Sequence, residues 1–138
     1  ASYAVHLFKS SYDVIARGRT SLQNVLPLHR TLVAADRALN QSGVYDIDLE
    51  TVNITGTVTL NGSVMPDNTA TTQNYDRGYL IFVEKGTGDS VDVGLGRDGP
   101  ASYAVHLFKS GYDVIARGRT SLQDVLPEHR TLVYLGCE

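Results

Sequence analysis

The sequence predicts a mainly β protein, folded as a compact β-sandwich or β-barrel-like domain with one or two short helices. Apolar residues alternate or cluster in short runs such as TVNITGTVTL and GYLIFVE, as they do in strands. Glycine-rich and Asn-Gly turn signals separate these runs. The chain has 138 residues, of which 42% are apolar and 20% charged, a composition typical of folded globular domains.

A 33-residue segment occurs twice, at residues 1–33 and again at residues 101–133. The copies differ at three positions, namely Ser11/Gly111, Asn24/Asp124 and Leu28/Glu128. Because only a third of a 100-residue period recurs, the pattern is unlike that of a solenoid. We predict two parts: residues 1–43, the first copy with a helical extension, and residues 44–138, a β-rich domain that includes the second copy.

The second copy predicts a hairpin, a short helix and a closing strand, in that order. The runs SYAVHLFKS and YDVIARG have strand character on both sides of a turn formed by Lys-Ser-Gly. Thr120 and Gln123 have the spacing of a capping box, and Pro127 ends the short helix that they begin. The run RTLVYLG then predicts the closing strand.

The first copy predicts the same hairpin but continues into a different sequence. Leu28, Leu32, Ala35 and Leu39 recur at helical spacing, and Gly43 suits the end of a helix. We therefore predict a helix at a place where the second copy has a strand.

The middle of the chain predicts further strands. VYDIDL and TVNITGTVTL alternate, and Asn61 with Gly62 predicts a tight hairpin turn after the second of these runs. One face of that run is apolar and carries Val52, Ile54, Val58 and Leu60. Residues 65–78 are polar and lack periodicity, which predicts a long loop or arm. GYLIFVE, KGTGD and SVDVGLG then predict a strand, a turn and a strand.

Charge and cysteine content narrow the classes of function. The net charge is −3, with +3 in the first copy, −6 in residues 34–100 and +1 in the second copy. Because no broad basic surface follows from these values, we expect no nucleic-acid partner. No run approaches the ~18 apolar residues of a membrane span, so we expect no membrane partner. Cys137 is the single cysteine, which excludes an intrachain disulfide.

Few residues have the pattern of a chemical site. Asp46, Asp48 and Glu50 recur at period two and could hold Ca²⁺ from one face of a strand, although a solvated polar face explains them as well. The same two interpretations apply to the acidic residues of the Gly-rich stretch, which are Asp89, Asp92 and Asp98. The four histidines, His6, His29, His106 and His129, have no identifiable nucleophile beside them. We therefore expect no enzymatic activity, no catalytic residue, no metal and no cofactor.

From Tyr79 to Gly136 the chain has six short motifs in a fixed order: YLIFVE, the KGTGD turn, VDVGLG, VHLFKSG, DVLPEH and RTLVYLG. In this order of parts the stretch resembles the C-terminal portion of lambda-type phage head decoration proteins. The resemblance covers about two-fifths of the chain. It implies a β-rich fold with a short helix, trimers on the three-fold positions of a capsid and an N-terminal arm that clamps the shell.

The predicted function is that of a non-enzymatic virion protein that decorates and stabilises a capsid as a homo-oligomer, a trimer by the resemblance. Its partner would be the major capsid protein or a neighbouring virion protein. The predicted contact residues are Val105, Leu107, Phe108, Lys109 and Tyr112, with an arm from Asn68 to Tyr75. The alternative is a carbohydrate- or cell-surface-binding β-sandwich, an adhesin-like repeat whose binding depends on calcium.

The exchange of Leu28 for Glu128 predicts that the two copies have different surroundings. Burying an unpaired carboxylate costs several kcal/mol, whereas exposing one leucine costs little. We therefore predict that Leu28 lies in a core or a contact and that Glu128 lies at a surface.

Overall fold

The computed structural model describes residues 1–19, 25–67, 76–118, 127 and 130–134. Over these residues the chain forms nine strands and no helix. The strands are β1 (Ser10–Arg17), β2 (Arg30–Leu39), β3 (Thr51–Leu60), β4 (Ser63–Val64), β5 (Gly78–Glu84), β6 (Ser90–Gly94), β7 (Ala101–Phe108), β8 (Tyr112–Gly118) and β9 (Arg130–Tyr134). The predicted mainly β class is confirmed.

The strands form three antiparallel sheets. Their orders are β1-β2, β4-β3-β7 and β6-β5-β8-β9. The sheets pack together, and the described strands do not close into a barrel. Of the two predicted architectures, the packed-sheet arrangement is therefore the one observed.

The core lies between the three-stranded and four-stranded sheets. Its buried apolar residues are Met65, Leu80, Phe82, Leu95, Ala101, Leu107 and Tyr112. The Phe82 ring meets the Tyr103 ring from the opposite sheet at 6.1 Å between centroids. Burial of each large apolar side chain contributes about 1.5–3 kcal/mol, so this layer is the main source of stability.

The Asn61-Gly62 hairpin is confirmed. Both residues have positive φ, 53° and 79°, as a two-residue turn of type I′ requires. Leu60 then pairs with Ser63 across the turn. The apolar face predicted for β3 forms in part. Val52 and Val58 pack against the core, whereas Ile54 is 37% exposed and Leu60 is half-buried.

The strand–turn–strand prediction for residues 78–94 is confirmed as well. β5 pairs with β6 from Tyr79↔Gly94 to Val83↔Ser90, and β5 pairs with β8 along its other edge. β5 is therefore a central strand, which explains why apolar residues dominate its sequence rather than alternate with polar ones.

The hairpin predicted within each copy is wrong for both copies. In the first copy residues 1–8 form no strand that could pair with β1. β7 pairs with β3 and β8 pairs with β5 and β9, so the two strands lie in different sheets. The short link turns a corner, where Lys109 N donates to Glu50 O and Lys85 N donates to Gly111 O. A local turn signal identifies a change of direction but does not determine which strand pairs with which.

The helical extension predicted after the first copy is wrong, because residues 30–39 form β2. This strand pairs with β1 through two irregularities, and Asp36 takes up the extra residue of one of them with φ of 55°. Pairing with a neighbouring strand overrides the weak helical periodicity of the leucines. The strand predicted for VYDIDL is absent, since residues 44–49 have no strand assignment. The short helix predicted near Thr120 lies outside the described residues.

Arg77 organises the loops at one end of the core. Its guanidinium is fully buried and donates hydrogen bonds to backbone carbonyls of two segments, residues 65–66 and residues 95–99. The acceptors are Gly96 O at 3.0 Å, Met65 O and Pro66 O at 3.1 Å, Gly99 O at 2.9 Å, Leu95 O at 2.8 Å and Asp98 O at 3.4 Å. The planar fork of donors thus replaces regular pairing where the strands end.

Candidate interaction surface

The two copies have the same local structure in their second halves. β1 pairs with β2 through Val14↔Ala34, Ile15↔Leu32, Ala16↔Thr31 and Arg17↔Arg30, and β8 pairs with β9 through the equivalent residues with the same irregularity. Gly18 N donates to Pro27 O and Gly118 N donates to Pro127 O, both at 2.8 Å. The segment therefore forms the same strand pair in both places.

The first halves of the copies differ because only the second copy has partner strands. Residues 101–108 form β7 against β3, whereas residues 1–8 form no strand. Phe108 is 1% exposed and Leu107 3%, but Phe8 is 91% exposed and Leu7 42%. An identical sequence is thus core in one copy and surface in the other.

The N-terminal residues lie against the chain only in part. The Tyr3 hydroxyl donates to Tyr45 O, and the Tyr45 ring lies 4.5 Å from the Arg37 guanidinium carbon. Beyond Tyr3, the side chains of Val5 and Phe8 are exposed. We call residues 1–8 the N-terminal arm.

The first copy has a second exposed feature besides the arm, which is the free edge of β1. β8 pairs with β9 on one edge and with β5 on the other, but among the described strands β1 pairs with β2 alone. Asp13, Ile15 and Arg17 are exposed along β1, while Tyr12 and Val14 are half-buried. A free strand edge offers unpaired backbone donors and acceptors to another strand.

Three of the seven predicted contact residues are buried within the chain. Leu107, Phe108 and Tyr112 are buried, so these side chains are not accessible to a partner in this conformation. Val105 is half-buried against the core, while Lys109 is exposed and its Nζ lies 3.4 Å from Glu50 Oε1. Asn68 and Tyr75 lie outside the described residues.

The residues that sequence analysis missed are the equivalents of these in the first copy. The arm is identical in sequence to residues 101–108, and β1 differs from its equivalent only by Ser11 in place of Gly111, so the local sequence does not show which copy is covered. The one available signal was that the chain holds two copies but only one run like GYLIFVE and one like TVNITGTVTL. These two runs form β3 and β5, which pair with the second copy, so the equivalent residues of the first copy have no such partner strands.

The first copy is fixed to the rest of the chain through a buried polar cluster. His29 Nε2 lies 2.7 Å from the Tyr112 hydroxyl, which itself donates to Phe108 O at 2.7 Å. Because that hydroxyl proton is engaged, His29 must donate from Nε2, which leaves Nδ1 without a proton and without a hydrogen-bond partner among the described residues. The His29 ring also meets the rings of Phe108 and Tyr112 edge-on.

Glu84 completes this cluster from β5. Its Oε1 accepts from the backbone N and the hydroxyl of Thr87 at 2.8 and 3.0 Å. Its Oε2 accepts from the hydroxyls of Ser110 and Thr31, so one buried carboxylate joins both copies of the segment to the β5–β6 turn. Arg30 N adds a hydrogen bond of 2.8 Å to Asp89 Oδ2 in that turn.

Burial and hydrogen bonding shift the pKa values of this cluster in defined directions. Burial lowers the pKa of His29, although Asp89 and Glu84 oppose the shift. Burial alone would raise the pKa of Glu84, but the hydrogen bonds from Ser110 and Thr87 outweigh it and lower the pKa. The Arg30 backbone N–H lowers the pKa of Asp89, and burial raises the pKa of Tyr112. A neutral histidine beside charged carboxylates is the state that these contacts favour.

A shallow cleft of about 570 Å³ lies beside the cluster. It is lined by Arg17, Gly18, Arg19, Leu28, His29, Arg30, Asp89, Ser90 and Val91. Of the two places predicted for Leu28, the core is wrong, because the side chain is 36% exposed at this cleft, and the contact stays a prediction. Glu128 lies outside the described residues, whereas the predicted difference in surroundings between the copies is observed elsewhere along the segment.

The carboxylates predicted as possible calcium ligands do not form a cluster among the described residues. Asp46, Asp48 and Glu50 are exposed on a segment without strand structure, and Glu50 accepts from Lys109. Over the described ranges, no three His, Cys, Asp or Glu side chains form a group that could hold a metal ion. Within the same ranges, no helix is long and apolar enough to cross a membrane.

Comparison with known proteins found no matching protein-family model, no matching curated protein and no matching solved structure.

Proposed function

We propose that the protein is a non-enzymatic structural protein that attaches to a virion shell as an oligomer and stabilises it. The observation that carries this proposal is the exposure of Phe8, Leu7 and Val5 in a sequence whose second copy is buried. Contiguous exposed apolar residues mark interaction sites in soluble proteins. The N-terminal arm is therefore the part of the chain that we assign to the partner.

The shell as partner rests on the resemblance of residues 79–136 to lambda-type head decoration proteins. That resemblance implies trimers at three-fold positions and an N-terminal arm that clamps the shell. The arm has the composition for this task, because Tyr3, Val5 and Leu7 alternate with Ala4, His6 and Phe8 and the segment can add to a strand of the major capsid protein. Burial of the Phe8 ring would supply about 1.5–3 kcal/mol of the binding free energy.

The test is binding to empty, expanded lambda-type capsids that lack their decoration protein. We expect the chain to co-sediment with the shells and to appear in electron micrographs as density at the three-fold positions. Phe8→Ser should weaken binding about tenfold or more, because it removes the largest exposed apolar side chain of the arm. Val44→Ser is the matched control, since Val44 is 90% exposed but lies outside the arm.

Two results would contradict the proposal. One is the absence of co-sedimentation when the chain is in excess over the shell sites. The other is binding that Phe8→Ser and Val44→Ser weaken to the same extent.

A further inference from the structure

The free edge of β1 is a regular strand edge. Between Val14 and Ile15, β1 advances by one residue while β2 passes from Ala34 to Leu32, so the extra residue lies on β2. The step from Tyr12 to Val14 likewise leaves its extra residue on β2. β1 therefore keeps an unbroken alternation, and nothing within the strand prevents pairing along its outer edge.

We infer that β1 pairs antiparallel with β1 of a second copy of this chain, across a two-fold axis at Ile15. In this register Ile15 lies opposite the same residue of the second copy. Asp13 lies opposite Arg17 of the second copy, and Arg17 lies opposite its Asp13. The pairing joins two β1-β2 sheets into one four-stranded sheet with the order β2-β1-β1-β2.

The second copy of the segment shows that this sequence accepts such a partner. β8 places Ile115 opposite Ile81 of β5, and the inferred pairing repeats this isoleucine pair as Ile15 with itself. Asp113 lies 3.6 Å from Lys85, which follows β5, so the carboxylate at this position already pairs with a cation from the adjoining strand. The inferred dimer thus repeats the isoleucine pair of β8 and β5. It places the cation directly opposite Asp13, whereas Val83 lies opposite Asp113 and Lys85 reaches that carboxylate from beyond the end of β5.

Charge selects the register. An antiparallel pairing centred on Asp13 would place two carboxylates opposite each other, and one centred on Arg17 would oppose two guanidinium groups. Like charges directly opposite destabilise a strand pair, whereas opposite charges stabilise it. The register centred on Ile15 places both charged residues opposite a residue of the other sign and places apolar against apolar. A two-fold axis makes each contact occur twice, as in an isologous interface.

This inference goes beyond the proposed function, because it names a contact between copies that uses β1 and leaves the N-terminal arm to the shell. In an assembly of trimers, a two-fold contact would join neighbouring trimers. The two proposals therefore depend on different residues and can fail separately.

A charge-exchange experiment tests the pairing. We expect sedimentation equilibrium to show an association step that doubles the mass. Asp13→Arg alone and Arg17→Asp alone should each weaken this step about tenfold, since each places like charges opposite. The double variant Asp13→Arg with Arg17→Asp restores opposite charges and should return the step to near its original strength.

The double variant also separates pairing from folding. Asp13 Oδ1 accepts from Asp36 N at 2.8 Å, so its replacement removes a hydrogen bond from β2 in both the single and the double variant. Recovery of association in the double variant therefore cannot come from that bond. A mass that shows no doubling step in the original chain, or a double variant that associates as weakly as the singles, would overturn the inference.

Cross-linking tests the register directly. In a Cys137→Ser background, Ile15→Cys should be joined to its equivalent by a short bismaleimide, because the two residues face each other at about 5 Å between Cα atoms. Ser10→Cys is the matched control on the same strand. Its equivalent would lie roughly 33 Å away at about 3.3 Å per residue, so it should not be joined. Equal cross-linking at both positions would contradict the register.

Shell binding and self-association of the chain are measured separately in the variant Phe8→Ser. Phe8→Ser should leave the doubling step unchanged while it weakens shell binding. If Phe8→Ser instead abolished the doubling step, the arm rather than β1 would hold the copies together, and the inference would be wrong.

Discussion

His29 of the first copy and Tyr112 of the second copy are joined by a buried hydrogen bond of 2.7 Å between Nε2 and the hydroxyl. The bond links residues 83 positions apart and attaches the β1-β2 sheet to the larger core. Because the Tyr112 hydroxyl also donates to Phe108 O, the geometry specifies the neutral tautomer of His29 that carries its proton on Nε2.

Stability should fall as the pH falls below about 6.5, because of His29. Burial holds the folded pKa of His29 below its ordinary value of 6.5, despite Asp89 and Glu84 nearby. Between those two pKa values the unfolded chain binds a proton that the folded chain does not bind, so stability is lost as the pH falls through this window. Thermal unfolding at a series of pH values from 7.5 to 5.5 measures the slope.

The histidine variants identify the source of that slope. His29→Gln should flatten it, whereas His6→Gln, which changes an exposed histidine of the same segment, should leave it as in the original chain. The carboxylates Glu84 and Asp89 have lowered pKa values, so their contribution is lost only in a separate window below their ordinary values of 4.5 and 3.8. A slope above pH 5.5 that His29→Gln leaves intact would contradict the assignment.

Gly86→Ala should loosen the first copy from the β5–β6 turn. A Cβ at Gly86 would lie 2.6 Å from the Leu32 Cβ and 3.1 Å from Glu84 Oε2, so β2 must move away. We expect a loss of about 1–3 kcal/mol, the usual range for overpacking. Hydrogen exchange should become faster in Arg30–Leu39, which is the segment that Leu32 fixes.

Gly88→Ala is the control for that prediction. Gly88 has φ of 76° and open space around its Cα, so alanine there introduces about 1–2 kcal/mol of backbone strain without any contact to β2. Exchange in Arg30–Leu39 should then stay close to that of the original chain. The docking would be disproved if both variants accelerated exchange in β2 equally.

The features that the sequence predicted correctly depend on neighbouring residues. The Asn61-Gly62 turn formed because both positions tolerate positive φ, and that property belongs to the residues themselves. The β5–β6 hairpin formed for a similar reason, since a glycine-rich turn joins two runs of strand-forming residues. Such local chemistry can be recognised without knowledge of the rest of the fold.

The features that the sequence did not predict depend on distant partners. The pentapeptide His-Arg-Thr-Leu-Val suited a helix beside Ala35 and Leu39, yet its last four residues became part of β2 because β1 supplied a strand edge. β7 and β8 each found a partner from elsewhere in the chain, so the expected hairpin between them did not form. The predicted contact residues were assigned to the second copy, because residues 101–108 are identical to residues 1–8 and the sequence does not show which of the two is covered.

Arg77→Met should destabilise the fold by at least about 3 kcal/mol. The substitution removes every donor of the buried guanidinium and leaves the carbonyls of Leu95, Met65 and Gly99 without these partners. Each unsatisfied buried carbonyl costs about 1–3 kcal/mol. Urea unfolding of the purified variant measures the change.

Two further variants show whether the fork of donors is responsible. Arg77→Lys keeps the charge, but a single ammonium group cannot donate to the carbonyls of residues 65–66 and of residues 95–99 together. We expect this variant to lose more than half of the stability that Arg77→Met loses. Arg37→Met changes an exposed arginine and should cost at most about 1 kcal/mol. Full stability of Arg77→Lys would mean that charge alone holds these loops.

Phe108→Ala and Phe8→Ala compare one residue in two surroundings. The flanking sequence of the two phenylalanines is identical from Ala1 to Ser10 and from Ala101 to Ser110. Phe108 is 1% exposed and packs edge-on against His29, so its truncation should cost about 3–5 kcal/mol. Phe8 is 91% exposed, and its truncation should change stability by less than about 0.5 kcal/mol. Urea unfolding of both variants, with Val44→Ala as an exposed control, measures the difference. If the two phenylalanine variants lost the same stability, the first copy would occupy the place beside β3 in part of the molecules, and the arrangement in which only the second copy is covered would be refuted.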